Sequence, residues 1–295
     1  MMKQPIFTGS CVAIVTPFRD GAIDYQKLGE LIDYQINNGT SAITICGTTG
    51  ESSTQTVEEH MEAIEFTIRY AAHRCKVIAG TGSNDTQTAL KLSMHADKAG
   101  ADGLLLVTPY YNKATQKGLI QHYTYIADRV NTPMILYNVP SRTGVGFTVD
   151  TYKELSKHPM INGVKEASGS DSQVARTLAA CGDNFNVWSG NDDQIVPFMA
   201  MGAKGVISVL ANICPRETAT IARLCLEGRF AEAAVMQCDY MQLIDALFCE
   251  VNPIPVKTAM NLMGMDVGEL RLPLCEMEEK NLNTLKTALA AKNLI

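Results

Sequence analysis

The sequence predicts an α/β protein, a (β/α)8 TIM barrel with a C-terminal helical domain. Three observations carry this reading: eight short apolar, β-branched runs, helical periodicity between successive runs, and a change to purely helical patterning after Val209. The runs are residues 10–16, 41–46, 76–80, 103–108, 133–138, 161–165, 185–189 and 205–209, each closed by Gly, Pro, Thr or Ser or leading directly into them. Gly103-Leu-Leu-Leu-Val-Thr108 is apolar along its length, which marks a strand covered on both faces and hence a parallel sheet flanked by helices. About eight such units within the first ~220 residues fit a closed barrel better than an open doubly wound sheet, the alternative that irregular unit lengths keep in view.

Between the runs lie amphipathic stretches. In residues 24–38, Leu28, Leu31, Ile32 and Ile36 recur at helical spacing, and Asn37-Asn38-Gly39 supplies a stop. Beyond the last run, residues 227–251 form a long helical stretch with Phe230, Ala234, Met241, Ile244 and Phe248 along it. Asn252-Pro-Ile-Pro255 must interrupt it, because proline removes a donor and restricts the residue before it. Two further helical segments follow, at 256–263 and 276–292. The expected division is a catalytic barrel at 1–224 and a helical domain at 225–295, packed together because no low-complexity linker separates them.

Composition narrows the function. The 295 residues are 46% hydrophobic and 19% charged, enough apolar content for a core and against disorder. Lys plus Arg number 25 and Asp plus Glu 31, a formal charge of −6 that offers neither a nucleic-acid footprint nor a polybasic membrane anchor. Small anionic substrates need only a local positive site. The apolar stretch 11–15 ends at Thr16-Pro17, too short for a secretory segment, and no run approaches the ~20 apolar residues of a membrane span. Nine cysteines contain no CxxC pair, so zinc spacing is absent and reduced thiols in the cytoplasm are expected. The five histidines show no HxxxH spacing, and Asp192-Asp193 reads as a helix N-terminus, so no metal site is expected.

In such barrels the chemistry lies at the C-terminal ends of the strands. There the chain carries Gly47-Thr-Thr-Gly-Glu51, Thr108-Pro-Tyr-Tyr111, Tyr137-Asn-Val-Pro-Ser-Arg142 and Lys165-Glu166. Lys165 would bring an amine to the barrel mouth, where desolvation favours its uncharged, nucleophilic form and hence Schiff-base chemistry. The plainer alternative is a lysine reaching solvent or pairing with Glu166. The turn at Gly47–Glu51 offers backbone N–H groups and two hydroxyls to a carboxylate or phosphate, or is an ordinary capped turn; it lacks the lysine ending of a P-loop. Tyr137, one strand before Lys165, is either a proton carrier or a packed strand tyrosine. Arg142, in a Pro-Ser-Arg-Thr-Gly loop, is either a carboxylate clamp or a surface arginine.

Taken together, Gly47-Thr-Thr-Gly-Glu51, Tyr137-Asn-Val-Pro-Ser-Arg-Thr-Gly144, Gly163-Val-Lys-Glu166, Gly202-Ala-Lys-Gly-Val-Ile-Ser208 and Asn252-Pro-Ile-Pro-Val-Lys257 resemble the dihydrodipicolinate synthase family of pyruvate-dependent class I aldolases, over essentially the whole chain. The resemblance implies condensation of pyruvate with L-aspartate 4-semialdehyde for lysine and diaminopimelate synthesis, with no cofactor beyond the covalent imine. It implies Lys165 as the Schiff-base lysine, Tyr137 as the central proton relay, and Thr48 as the link from Tyr137 to Tyr111, which would reach into a neighbouring subunit's site. Thr49 would hold the pyruvate carboxylate, Arg142 the carboxylate of the semialdehyde, and Gly190 and Ile207 would line the pyruvate pocket through their backbones. A homo-oligomer is implied, usually a tetramer built as a dimer of dimers.

The same resemblance separates close rivals. Sialate lyases carry an apolar residue in place of Arg142 and a Ser-Thr pair in place of Thr48-Thr49, so this chain sides with the synthases. A sugar-acid aldolase and a keto-acid-binding sensor barrel are the alternatives; the sensor would show a broken Lys165–Tyr137–Thr48 set. Ser52, His60, Asn84 and Tyr110 match parts of the lysine-inhibition site of regulated members. Val57 replaces their histidine and Thr88 their glutamate, so weak or absent inhibition by L-lysine is expected.

Overall fold

Eight parallel strands close on one another in the computed structural model, which describes residues 3–295. In chain order the strands are β1 (Gly9–Ala13), the short pair β2 (Phe18–Arg19) and β3 (Ala22–Ile23), then β4 (Ala42–Ile45), β5 (Lys76–Gly80), β6 (Gly103–Val107), β7 (Met134–Asn138), β8 (Ile161–Glu166), β9 (Asn186–Ser189) and β10 (Gly205–Ser208). The barrel runs β1-β10-β9-β8-β7-β6-β5-β4 and closes β4 on β1, so every apolar run of the sequence supplies one stave and the open sheet is excluded. The first run ends its ladder early, at Ala13, before Pro17, whose missing N–H suits no ladder.

The β2–β3 hairpin stands outside the barrel and was not foreseen. Its signal is Asp20-Gly21, both at positive φ (53° and 78°), the dipeptide that a two-residue hairpin turn demands.

Twelve α-helices cover the barrel and extend beyond it: α1 (Tyr25–Asn37), α2 (Val57–Ala71), α3 (Thr86–Ala99), α4 (Gln116–Ala127), the single turn α5 (Pro140–Thr143), α6 (Val149–Leu155), α7 (Asp171–Cys181), α8 (Ile195–Ala200), α9 (Pro215–Leu226), α10 (Phe230–Leu247), α11 (Ile254–Leu262) and α12 (Glu279–Ala291). Their starts follow local chemistry. Asp24, Asp85, Thr115, Thr148 and Ser170 each accept from a backbone N–H three residues on, and Thr56 with Glu59 forms a reciprocal capping box at α2. α10 ends at Leu247, short of the stretch to 251 that the sequence suggests, and after Asn252-Pro253 the chain restarts as α11 at Ile254. Helix α10 packs on α8 and α9, and α12 on α10 and α11, so the C-terminal helices rest on the barrel's own coat.

Strand alternation divides the core in two. Inside the barrel, Cys11, Ala42, Ile78, Leu105, Ile135, Tyr137, Trp188 and Ile207 form one cluster, closed near its N-terminal end by Phe7 stacked on Trp188 at 5.2 Å. The outward residues, among them Val12, Ile43, Leu104, Leu136, Val164 and Val206, join the helices in the larger cluster. This double burial is why the strand runs read as continuously apolar.

Candidate active site

Tyr137 and Lys165 are direct partners in the β7–β8 ladder, and both side chains face inward. The Lys165 Nζ lies 4.3 Å from the centroid of the Tyr137 ring, at the C-terminal end of the barrel where both strands finish. Lys165 is 5% exposed, which removes the solvent-reaching alternative. Pairing with Glu166 is also removed, because the next residue on a strand points to the opposite face.

Glu166 instead anchors the outer face of the same two strands. Asn138 Nδ2 donates to both of its oxygens (2.8 and 3.1 Å), Tyr152 OH donates to Oε2 (2.9 Å) and Ser168 N to Oε1 (2.9 Å). Burial pushes this carboxyl above its usual range, against the pull of those donors. Every neighbour donates, so the carboxylate is the form that satisfies the network.

Gly190 follows β9. A Cβ there would meet Ala167 Cβ at 2.7 Å, Glu166 O at 3.1 Å and Lys165 Cε at 3.1 Å, so only glycine leaves the lysine its place. Ile207 is fully buried on β10 in the barrel's inner cluster, beside β1 and β9.

The turn after β4 leaves hydrogen-bond donors free. The N–H groups of Gly50, Glu51 and Ser52 are used within the turn, donating to Gly47 O, Thr48 O and Gly47 O. Among the described residues, those of Thr48 and Thr49 donate to nothing, and neither does the buried Thr49 hydroxyl, which accepts from Asn252 Nδ2 at 3.0 Å. Two free amides and a hydroxyl proton suit a small carboxylate. Thr48 and Tyr137 line one small space of ≈ 40 Å³. It adjoins a cavity of ≈ 380 Å³ whose walls include Thr48, Ser52, Tyr110, Val139 and Arg142. A larger groove of ≈ 620 Å³ lies away from the strand ends, between α11, α12 and the segment between them, and is walled by a mixture of leucines and polar side chains.

Arg142 sits on the single turn α5 rather than in an open loop, its position set by Pro140 at the first helical residue. Its Nη2 donates to Asn252 O at 3.3 Å while the side chain lines the ≈ 380 Å³ cavity. Tyr111 stands apart: it is 89% exposed, at φ 73°, and within one chain it makes no link to Thr48. Ser52, His60, Tyr110, Val57 and Thr88 share the ≈ 380 Å³ cavity, whereas Asn84 is not among its walls and offers its carbonyl to Asn112 Nδ2 (2.9 Å). His60 is buried and donates from Nε2 to Gly80 O at 2.6 Å; burial lowers its pKa.

Three site-supporting residues escaped the sequence reading. Asp192 opens a 3-10 turn leading into α8, as expected, and beyond that its carboxylate is buried and accepts from Val209 N and Leu210 N, holding the exit of β10 beside that of β9. Burial raises its pKa. Lys257 is equally buried and pairs with Glu51 at 2.8 Å, while Glu51 Oε2 accepts from Arg271 N. Burial lowers the Lys257 pKa, opposed by Glu51. Asn252 is the third, between Thr49 and Arg142. The signal for the last two was the Asn252–Lys257 motif itself, whose polar ends flank a proline pair. All nine cysteines are free, and burial raises the Cys11 thiol to about 12. Among the described residues no cluster of metal-ligating side chains occurs, and no helix is long and apolar enough to cross a membrane.

Comparison with known proteins places this geometry. The model of the Dihydrodipicolinate synthetase family matches residues 6–292. A 4-hydroxy-tetrahydrodipicolinate synthase of Thermoanaerobacter sp. (strain X514) is 54% identical over 293 residues, 99% of this chain and 99% of the relative. The crystal structure of dihydrodipicolinate synthase from Aquifex aeolicus superposes with a TM-score of 0.96 at 48% identity, covering 98% of this chain and 99% of that one. The chloride-inhibited dihydrodipicolinate synthase of Acinetobacter baumannii, solved in complex with pyruvate, gives a TM-score of 0.95 at 42% identity over 98% of this chain and 100% of its own.

Proposed function

The chain belongs to the dihydrodipicolinate synthetase family, and we infer from that membership and from its barrel mouth that it is a lyase with 4-hydroxy-tetrahydrodipicolinate synthase activity. It condenses pyruvate with L-aspartate 4-semialdehyde, a step of lysine and diaminopimelate synthesis. The observation that carries the mechanism is the buried Lys165 amine, 4.3 Å from the Tyr137 ring centroid and pressed against Gly190.

The Lys165 amine attacks the pyruvate carbonyl carbon, and the oxygen leaves as water, giving an iminium. The iminium withdraws electrons, so the methyl carbon releases a proton and attacks the aldehyde of the second substrate. Tyr137, in contact with the amine, carries protons to and from the carbinolamine, with Thr48 beside it and Tyr111 supplied by a neighbouring subunit. The pyruvate carboxylate takes the free N–H groups of Thr48 and Thr49 and the Thr49 hydroxyl, while the backbones at Gly190 and Ile207 line its pocket. Arg142, already oriented by Asn252 O, takes the carboxylate of the semialdehyde. This sequence of steps requires neither metal nor organic cofactor.

The reading places the enzyme in the cytoplasm as a homo-oligomer, a dimer of dimers, with a barrel at 1–224 and a helical unit at 225–295. The 89% exposure of Tyr111 and the lack of an intrachain role for it support a neighbour at that face. The candidate regulatory residues are Ser52, His60, Asn84 and Tyr110; Ser52, His60 and Tyr110 share a cavity with Val57 and Thr88, neither of which carries a charge for an amino-acid effector.

Borohydride reduction in the presence of pyruvate, followed by mass mapping, tests the covalent step; the adduct is expected on Lys165, and its absence there removes the mechanism. Turnover of aspartate semialdehyde against N-acetylneuraminate and 2-keto-3-deoxygluconate tests the substrate; preference for either sugar acid removes the assignment.

A further inference from the structure

The segment Asn252–Lys257 grips the turn after β4 at two points, and the grip has a chemical polarity. Lys257 holds Glu51 through a fully buried ion pair, and Asn252 Nδ2 donates to Thr49 Oγ1 at 3.0 Å. A hydroxyl has one proton and two lone pairs. With Asn252 donating, Thr49 accepts, and its own proton stays available; no described residue takes it. The other end of the amide, Oδ1, is buried without a partner, so the bond to Thr49 is the only one this side chain makes among the described residues. The register is held by Lys257 at one end and by Arg142 on the Asn252 carbonyl at the other.

We propose that Asn252 is a positioning residue for pyruvate: its amide donates to Thr49 so that the Thr49 hydroxyl proton is directed at the substrate carboxylate. The proposal rests on the reading of Thr49 as the carboxylate site. Asn252 thereby serves the two substrates through different atoms, the side chain for pyruvate and the main-chain oxygen for Arg142. The two functions are separable by substitution of the side chain alone.

N252D is the decisive variant because it keeps the shape and reverses the polarity. An ionised carboxylate at this position accepts the Thr49 proton and repels the substrate. Half-saturating pyruvate, read by borohydride trapping and by steady-state KM, is expected to rise about tenfold or more near pH 8. The KM for the semialdehyde is expected to change by less than about twofold, since Arg142 is held by the main chain. Burial at this position raises the pKa of the introduced carboxyl, so lowering the pH toward about 5 protonates part of it, restores a donor, and narrows the gap to wild type. N252A, which removes the donor without reversing it, is expected to raise half-saturating pyruvate by about threefold at every pH, and it decides the matter if N252D does not fold.

Unchanged pyruvate dependence in both variants overturns the proposal. So does an equal rise for both substrates with no narrowing at low pH, the mark of a merely structural residue. A wild-type enzyme that forms no adduct at Lys165 instead defeats the reading beneath it, so the two failures are told apart.

Discussion

Asn138 and Glu166 are cross-strand partners one residue beyond Tyr137 and Lys165, and they lock on the outer face of the barrel the strand ends that carry that pair on the inner one. The two strand ends cannot part without breaking a carboxylate that accepts from Asn138, Tyr152 and Ser168. Glu166→Ala orphans these donors in a site that is 1% exposed. A loss of about 3 kcal/mol or more is expected, read as a fall in Tm by calorimetry, with slower pyruvate trapping at Lys165. Wild-type stability in this variant would show that the network holds nothing.

Gly190→Ala places a methyl group 3.1 Å from Lys165 Cε and 2.7 Å from Ala167 Cβ. The lysine must shift, and displacement of a reacting group by a fraction of an ångström to an ångström costs up to about a hundredfold in rate. Imine trapping is expected to slow by at least about tenfold, and the clash with Ala167 Cβ is expected to lower stability by about 1–3 kcal/mol. Unimpaired trapping would mean that Gly190 does not set the position of the amine.

Arg142→Ala leaves the Lys165–Tyr137 contact untouched. The KM for the semialdehyde is expected to rise, with kcat/KM for that substrate down by about tenfold to a hundredfold, consistent with loss of a charge-assisted pair. The pyruvate adduct should form to the wild-type extent; an equal loss of adduct counts against this role.

The described residues also contain a pH-dependent element of stability. His122 is 7% exposed, with Nδ1 2.9 Å from Thr86 Oγ1 and Nε2 unpartnered, and burial lowers its pKa from 6.5 to about 4. Between those values the unfolded chain binds a proton that the folded one refuses. Stability is therefore fully present above about pH 6.5 and declines as the pH falls toward 4, by up to about 3 kcal/mol. Denaturation midpoints across this range should show the decline in wild type and a shallower one in His122→Gln. Parallel curves for the two proteins would exclude the histidine as the source.

Inhibition by L-lysine is expected to be weak or absent. The ≈ 380 Å³ cavity that holds Ser52, His60 and Tyr110 presents Val57 and Thr88, neither of which offers a carboxylate to the ammonium of a cationic amino acid. A steady-state titration with L-lysine at subsaturating pyruvate should leave the rate nearly unchanged; strong inhibition would refute this expectation.

The eight staves of the barrel were legible because burial on both faces imposes a local composition, and each run needed only its own residues to be recognised. The interruption at Asn252-Pro-Ile-Pro255 was legible from the prolines themselves. The β2–β3 hairpin was missed although Asp20-Gly21 announces it, since two-residue strands have no periodicity to detect. Arg142 was placed in a loop because a single helical turn spans barely one hydrophobic period and so shows no repeat.

By itself, then, the sequence determined the barrel, its helical extension and the residue types at the strand ends, all set by local composition and short spacing. Only the tertiary structure decided which of those residues meet. Closure of the ladder put Lys165 beside Tyr137 and turned Glu166 away from it. Asn252 on Thr49 and Lys257 on Glu51 join positions more than 200 residues apart, a distance over which no spacing rule operates. Buried polar groups find their partners by packing rather than by proximity in the chain, and the strand-end turn, Arg142 and the Asn252–Lys257 segment are held together by that packing.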